Sequence, residues 1–168
     1  ADSKVTSLGE TSNGGLFAGG GGDADSDLNF KHEVFIDGNL TAGGTLDITG
    51  AATAESVAES QSDAGGLGAG ATVDSNAQLG TGARGAVNLN GSQASTVSPA
   101  VVRITIQDDA DLRADHVNIA TDAEKLKARS YAETTVGGGG GFADAVARSK
   151  LKADSEVVLK NGAEITGD

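Results

Sequence analysis

The sequence predicts an all-β chain, folded as a β-solenoid with glycine-rich corners or loops. Three observations predict it: a repeated phrase, an interior made of small residues, and apolar positions that recur every second residue. The phrase is a small-residue strand, then Glu-Thr or Glu-Ser, a glycine run, and a second small-residue strand. It reads Ser7-Leu8-Gly9-Glu10-Thr11 to Gly14-Gly15-Leu16-Phe17-Ala18, then Ser56-Val57-Ala58-Glu59-Ser60 to Gly65-Gly66-Leu67-Gly68-Ala69, then Ser130-Tyr131-Ala132-Glu133-Thr134 to Gly140-Gly141-Phe142-Ala143. Self-similarity at this period marks units that each cover the apolar face of the next. The repeat units are roughly residues 1–50, 51–125 and 126–168, within a single segment.

The second observation is compositional. Glycine is 26 of 168 residues, aromatics are 3%, and the chain has no Cys, Met or Trp. Glycine at about twice its usual ~7% would suggest disorder in a polar chain. Here 38% of residues are apolar, and Val, Ile and Leu sit in short alternating runs. Such residues fit a narrow interior.

The elements follow in order. Glu33 to Ile48 reads as three short strands separated by the turns Asp37-Gly38 and Gly43-Gly44. Val102–Ile106, Ala110–Ala114 and His116–Ile119 repeat that scheme, and Val157 to Ile165 repeats it again around Asn161-Gly162. Helix is rejected over Ala123–Val136, where Lys125, Lys127 and Arg129 alternate with Leu126, Ala128 and Ser130. Arg148, Lys150 and Lys152 alternate in the same way with Ser149, Leu151 and Ala153. A period of two favours strand. The extra length between Leu79 and Val102 is expected to hold one more strand (Ala86–Leu89) and a surface loop. With about two coils per phrase, the segment should be a rod of roughly 30–40 Å.

Phrases such as Leu40-Thr41-Ala42-Gly43-Gly44-Thr45-Leu46-Asp47-Ile48 and Asp109-Ala110-Asp111-Leu112-Arg113-Ala114-Asp115-His116-Val117-Asn118-Ile119 resemble the repeats of bacterial filamentous-haemagglutinin-type adhesins. The Ala/Ser strands around Gly65-Gly66-Leu67 and Gly140-Gly141-Phe142 are similar to the leukotoxin-like large filamentous adhesins of that group. The resemblance implies a right-handed parallel β-helix. It also implies a structural or adhesive role at a bacterial cell surface or in an extracellular filament. Ser56-Val57-Ala58 also looks like the phrase of trimeric autotransporter heads, but the short regular period of those heads does not hold here.

Charge narrows the partners. The net charge of −12 argues against nucleic acid, whose phosphates need a basic footprint. Residues 1–83 hold two basic and twelve acidic residues, and residues 84–168 hold ten basic and twelve acidic. In a solenoid that asymmetry becomes an axial one. The absence of cysteine excludes disulfides and thiolate metal sites. No apolar run approaches the ~18 residues of a membrane span. The chain opens at Ala1, as a processed product or a piece of something longer would.

Lys125, Lys127 and Arg129 with Arg148, Lys150 and Lys152 are the candidate site. The pairs Lys125/Arg148, Lys127/Lys150 and Arg129/Lys152 share one sequence spacing, plausible for a single coil. Stacked, they form a like-charge ladder needing an anion, either an acidic surface glycan or the acidic end of another subunit. Their other reading is a soluble, pairing-resistant edge. The remaining candidates read as structural. Asp23-Ala24-Asp25-Ser26-Asp27 lacks the Gly and Glu of a calcium loop and reads as a solvated acidic turn. Gly19–Gly22 and Gly137–Gly141 lack the Lys-Ser/Thr of a phosphate cradle and read as corners or hairpin tips. Asp108-Asp109 has no basic or His partners for glycoside cleavage and reads as a polar corner. His32 and His116 have no partner motif. Thr41, Thr45, Thr49 and Thr53 do not recur as an ice-binding face would require. No enzyme and no cofactor is expected. The leading function is a structural or adhesive solenoid, self-assembling head to tail or continuing in a longer solenoid; the alternative is a monomeric carbohydrate-binding adhesin module.

Overall fold

The computed structural model describes residues 2–80 and 100–167. Among them it contains strands and turns and no helix. The strands are β1 (Asp2–Gly14), β2 (Phe17–Leu28), β3 (Lys31–Ile36), β4 (Asn39–Thr41), β5 (Thr45–Gly65), β6 (Gly68–Leu79), β7 (Ala100–Ile106), β8 (Asp111–Ala114), β9 (His116–Gly137), β10 (Gly141–Leu151), β11 (Ala153–Leu159) and β12 (Glu164–Gly167). The expected strands around 33–48, 102–119 and 157–165 are all present, and 123–136 is strand. The additional strand expected at Ala86–Leu89 lies outside the described residues.

Four three-stranded sheets result, with orders β1-β5-β9, β2-β6-β10, β3-β7-β11 and β4-β8-β12. Every pairing is parallel. The chain therefore runs through four strands and begins again beside the first. It makes three passes, β1 to β4, β5 to β8 and β9 to β12. Equivalent residues lie side by side. Gly14, Gly65 and Gly137 meet at one corner, and Leu28, Leu79 and Leu151 form one inward column.

One phrase is thus one pass, not two coils. Phe17 of the first phrase aligns with Gly68 of the second, and Ala69 of the second with Gly141 of the third. Three stacked strands span only about 10 Å between the first and third. The 21 residues of β5, by contrast, extend about 70 Å. The molecule described is broad and shallow rather than the expected rod of 30–40 Å.

Side-chain size divides it into two regions. At the wide end the first part of β5 packs with β7 and β8 around Ile36, Ile48, Ile104, Ile106, Ala110 and Leu112, all buried. At the narrow end β1-β5-β9 lies on β2-β6-β10 through Ala24, Ala58 and Ala77, and through Ala64, Ala69 and Ala71. A bulge between Ala51 and Thr53 of β5 falls where one region gives way to the other.

The narrow end is a thin blade. Ser60 Oγ donates to the Asp74 carbonyl at 2.9 Å, Ser75 Oγ to Ala58 at 2.7 Å, and Ser56 Oγ to Ser26 at 2.7 Å. A serine hydroxyl can reach the backbone of the facing sheet only when the sheets approach well inside the ~10 Å of ordinary face-to-face packing. Glycine does the same work. A Cβ on Gly9 would sit 2.7 Å from the Asp23 carbonyl oxygen, and one on Gly20 would sit 2.4 Å from Ser62 Oγ.

Two expectations are corrected by this geometry. Gly19–Gly22 is not a corner but the middle of β2, where the inward Gly20 leaves room for β5. Asp23–Asp27 is not a turn but the continuation of that strand, with Ala24 and Ser26 buried and Asp23 and Asp25 outside. The corners are at Gly14-Gly15, Gly65-Gly66 and Gly137–Gly140. There, a Cβ on Gly66 would sit 2.1 Å from the Gly15 carbonyl oxygen. Asp108-Asp109 is a corner as expected. Asp109 has φ 61°, and Gly162, at 76°, is its counterpart in the third pass; Gly38, at 91°, turns the shorter corner of the first.

Candidate interaction surfaces

Alternation along β9 places Lys125, Lys127 and Arg129 outward, with Leu126, Ala128 and Ser130 inward. Along β10, Arg148 and Lys150 point outward; Lys152 sits at the break before β11. Both rows belong to the third pass, where β9 and β10 are edge strands. The expected stacking of Lys125 on Arg148, Lys127 on Lys150 and Arg129 on Lys152 does not occur, because β9 and β10 lie in opposite sheets. Lys125 neighbours Thr53, Lys127 Glu55 and Arg129 Val57. Arg148 neighbours Asn76 and Lys150 neighbours Gln78. The blade therefore carries one row of cations on each face rather than a single ladder.

In two columns, Lys4/Glu55/Lys127 and Glu33/Arg103/Glu156, charge alternates from pass to pass, which keeps like charges apart there. Glu55 in the middle pass meets Lys4 of the first pass at 3.0 Å and Arg129 of the third at 3.6 Å. The Lys4 hydrogen bond, aided by Arg129 and Lys127, holds the Glu55 carboxyl below its ordinary value of 4.5. Arg148 pairs with Asp74. At the wide end the signs invert: Arg103 lies between Glu33, at 3.2 Å, and Glu156. The Lys31 hydrogen bond first, and Arg103 second, hold Glu33 below 4.5.

These depressed carboxyls set an acid limit. A group whose pKa is lower folded than unfolded binds more protons unfolded, so stability rises with pH across the interval. Stability is expected to be intact above about 4.5 and to fall as pH drops through the lowered values of Glu33 and Glu55. Arg103→Met should lower the melting temperature at pH 7 and shrink its difference from wild type by pH 3. Parallel acid limbs for the two proteins, followed by thermal melts, would refute that assignment.

The other candidates stay apart. Asp23 and Asp25 are two steps apart on β2, about 7 Å along the strand, and Asp25 accepts from Asn76 Nδ2 at 3.2 Å. Among the described residues no three His or carboxylate side chains gather as a metal site. His32 lies on β3 and His116 at the start of β9, in different sheets.

One surface had no clear signal in the sequence. On the outer face of β2-β6-β10, Phe17 covers Gly68 and Phe142 covers Gly70. A Cβ would meet the first ring at 3.0 Å and the second at 2.4 Å. An open groove of about 590 Å³, floored by Gly and Ala, lies between them. Phe17 is 88% and Phe142 66% exposed, and Leu16 and Leu67 project from the adjacent corner. The available signal was that two of only four phenylalanines each stand next to glycine runs. Phe and Gly fall in the same columns of the stack, which only the register reveals. Comparison with protein-family models, with curated proteins and with solved structures returned no match.

Proposed function

We propose that this chain is a right-handed parallel β-solenoid, serving as a structural, adhesive segment of a bacterial cell-surface or extracellular filament. The observation that carries the reading is the common order of the four sheets: each sets first, second and third pass in turn, with edge strands at the same two ends. That arrangement propagates without changing shape, which is what a filament needs. The resemblance of its phrases to those of filamentous-haemagglutinin-type adhesins supports the location, as does a cysteine-free interior stabilised by stacking. The reading is not enzymatic.

Immunogold electron microscopy of intact cells that produce the chain tests this. Gold along extracellular filaments is the expected result; label only after permeabilisation would overturn it. The row Lys125, Lys127 and Arg129 favours a second reading, a monomeric module that binds acidic glycans. Salt-sensitive retention on heparin beads by a protein that never forms filaments would select it.

A further inference from the structure

We infer that the third pass of one chain receives the first pass of a second copy as its next layer, in the register already used within the chain. The inference rests on the solenoid reading and names its partner. Charge is the first argument. On the blade, residues 2–28 carry one cation and five carboxylates, and residues 53–79 carry four carboxylates and no cation. Residues 125–152 carry six cations and two carboxylates. The successive layers are thus −4, −4 and +4. Among the described residues the cationic layer has an anionic neighbour on one side, and the first pass of another copy supplies the same −4 to the other.

Register is the second. The columns Asp25/Asn76/Arg148 and Asp27/Gln78/Lys150 run from acid through amide to base. Continued by a second copy, they set its Asp25 beside Arg148 and its Asp27 beside Lys150. The column Asp2/Thr53/Lys125 sets its Asp2 beside Lys125, and Lys31/Val101/Asp154 sets its Lys31 beside Asp154. Three like-charge contacts oppose these four: Lys4 with Lys127, Glu10 with Glu133, and Glu33 with Glu156. Exposed pairs are individually weak, so their sum selects which ends meet. The open backbone ladders of β9 to β12 supply the adhesion.

Packing is the third. In the columns Phe17/Gly68/Gly140 and Gly19/Gly70/Phe142, each ring has glycine beside it. A second copy repeats the arrangement, with its Gly19 beside Phe142 and its Phe17 beside Gly140. No two rings collide. The column Leu28/Leu79/Leu151 and the corner column Gly14/Gly65/Gly137 fix the register against a slip along the strands, which the charges alone would allow.

The chain has no cysteine, so introduced pairs report directly. Asp23, Asp74 and Val146 share a column. In the proposed junction position 23 of one copy lies about 5 Å from position 146 of the next, within disulfide reach, while within one chain the two are about 10 Å apart. Asp23→Cys/Val146→Cys is expected to give a ladder of disulfide-linked multimers on a non-reducing gel. An offset control, Asp23→Cys/Asp144→Cys, places the two backbones about 8 Å apart and should give at least about tenfold less. Asp23→Cys/Asp74→Cys should close within the monomer and so reports the stacking of passes independently. A closed 23/74 pair with monomeric 23/146 protein overturns the junction and spares the solenoid reading. An open 23/74 pair overturns the solenoid reading itself. Equal ladders from 23/146 and 23/144 overturn the register.

Discussion

Ile104→Ala is expected to lower the free energy of unfolding by about 3–4 kcal/mol, read by chemical denaturation. Ile104 is fully buried at the centre of the wide end, with Val34 and Val157 beside it in its own sheet. Across the interior it faces Gly50, where an added Cβ would lie 3.2 Å from Ile104 Cγ1. The isoleucine therefore fills space that its opposite number cannot. Truncation leaves a cavity bounded by three sheets whose strands are tied into continuous ladders, so relaxation is limited. Ile104→Val removes one methylene and should cost about 1 kcal/mol. A loss below about 1 kcal/mol for alanine would mean that the wide end does not close into a core.

Much of this architecture was legible because strand alternation and turn chemistry are local. Asp37-Gly38, Gly43-Gly44 and Asn161-Gly162 punctuate apolar pairs two residues apart, and the strands end beside them. The outward direction of Lys125, Lys127 and Arg129 also followed from alternation. Their neighbours did not, because register is a long-range property. Stacking Lys125 on Arg148 in one coil presumes corners at ordinary strand lengths, whereas β5 and β9 run for 21 and 22 residues. Ala, Ser and Gly interiors permit that length: two sheets in near contact need no corner to close the interior between them. Gly19–Gly22 looks like a corner in the sequence for the same reason. Glycine has poor strand propensity; the nearness of Ser62 accounts for Gly20 and that of the Gly9 strand for Gly22, while a Cβ on the outward Gly19 would meet nothing.

That closeness is the property most exposed to a single substitution. Ala58→Leu should cost about 3–5 kcal/mol, more than most overpacking changes in ordinary cores. Ala58 is fully buried against Ala24 and Ala77 of the facing sheet, with Ser7 and Ser130 on either side of it. Three carbons have no void to enter, so the sheets must separate. Separation breaks the hydroxyl bridges from Ser75 to the Ala58 carbonyl, from Ser60 to Asp74 and from Ser130 to Ser75, at about 1 kcal/mol each, in addition to the steric strain. Ala58→Ser should cost less than about 1 kcal/mol, since both neighbours in the column are already serine and facing carbonyls are within reach. Hydrogen exchange would localise the effect: amides of β6 should exchange faster in Ala58→Leu, and those of β7 should not. If leucine were tolerated to within about 1 kcal/mol, small side chains would not be what sets the thickness of the blade. The spacing between the cationic rows on its two faces would then have another origin.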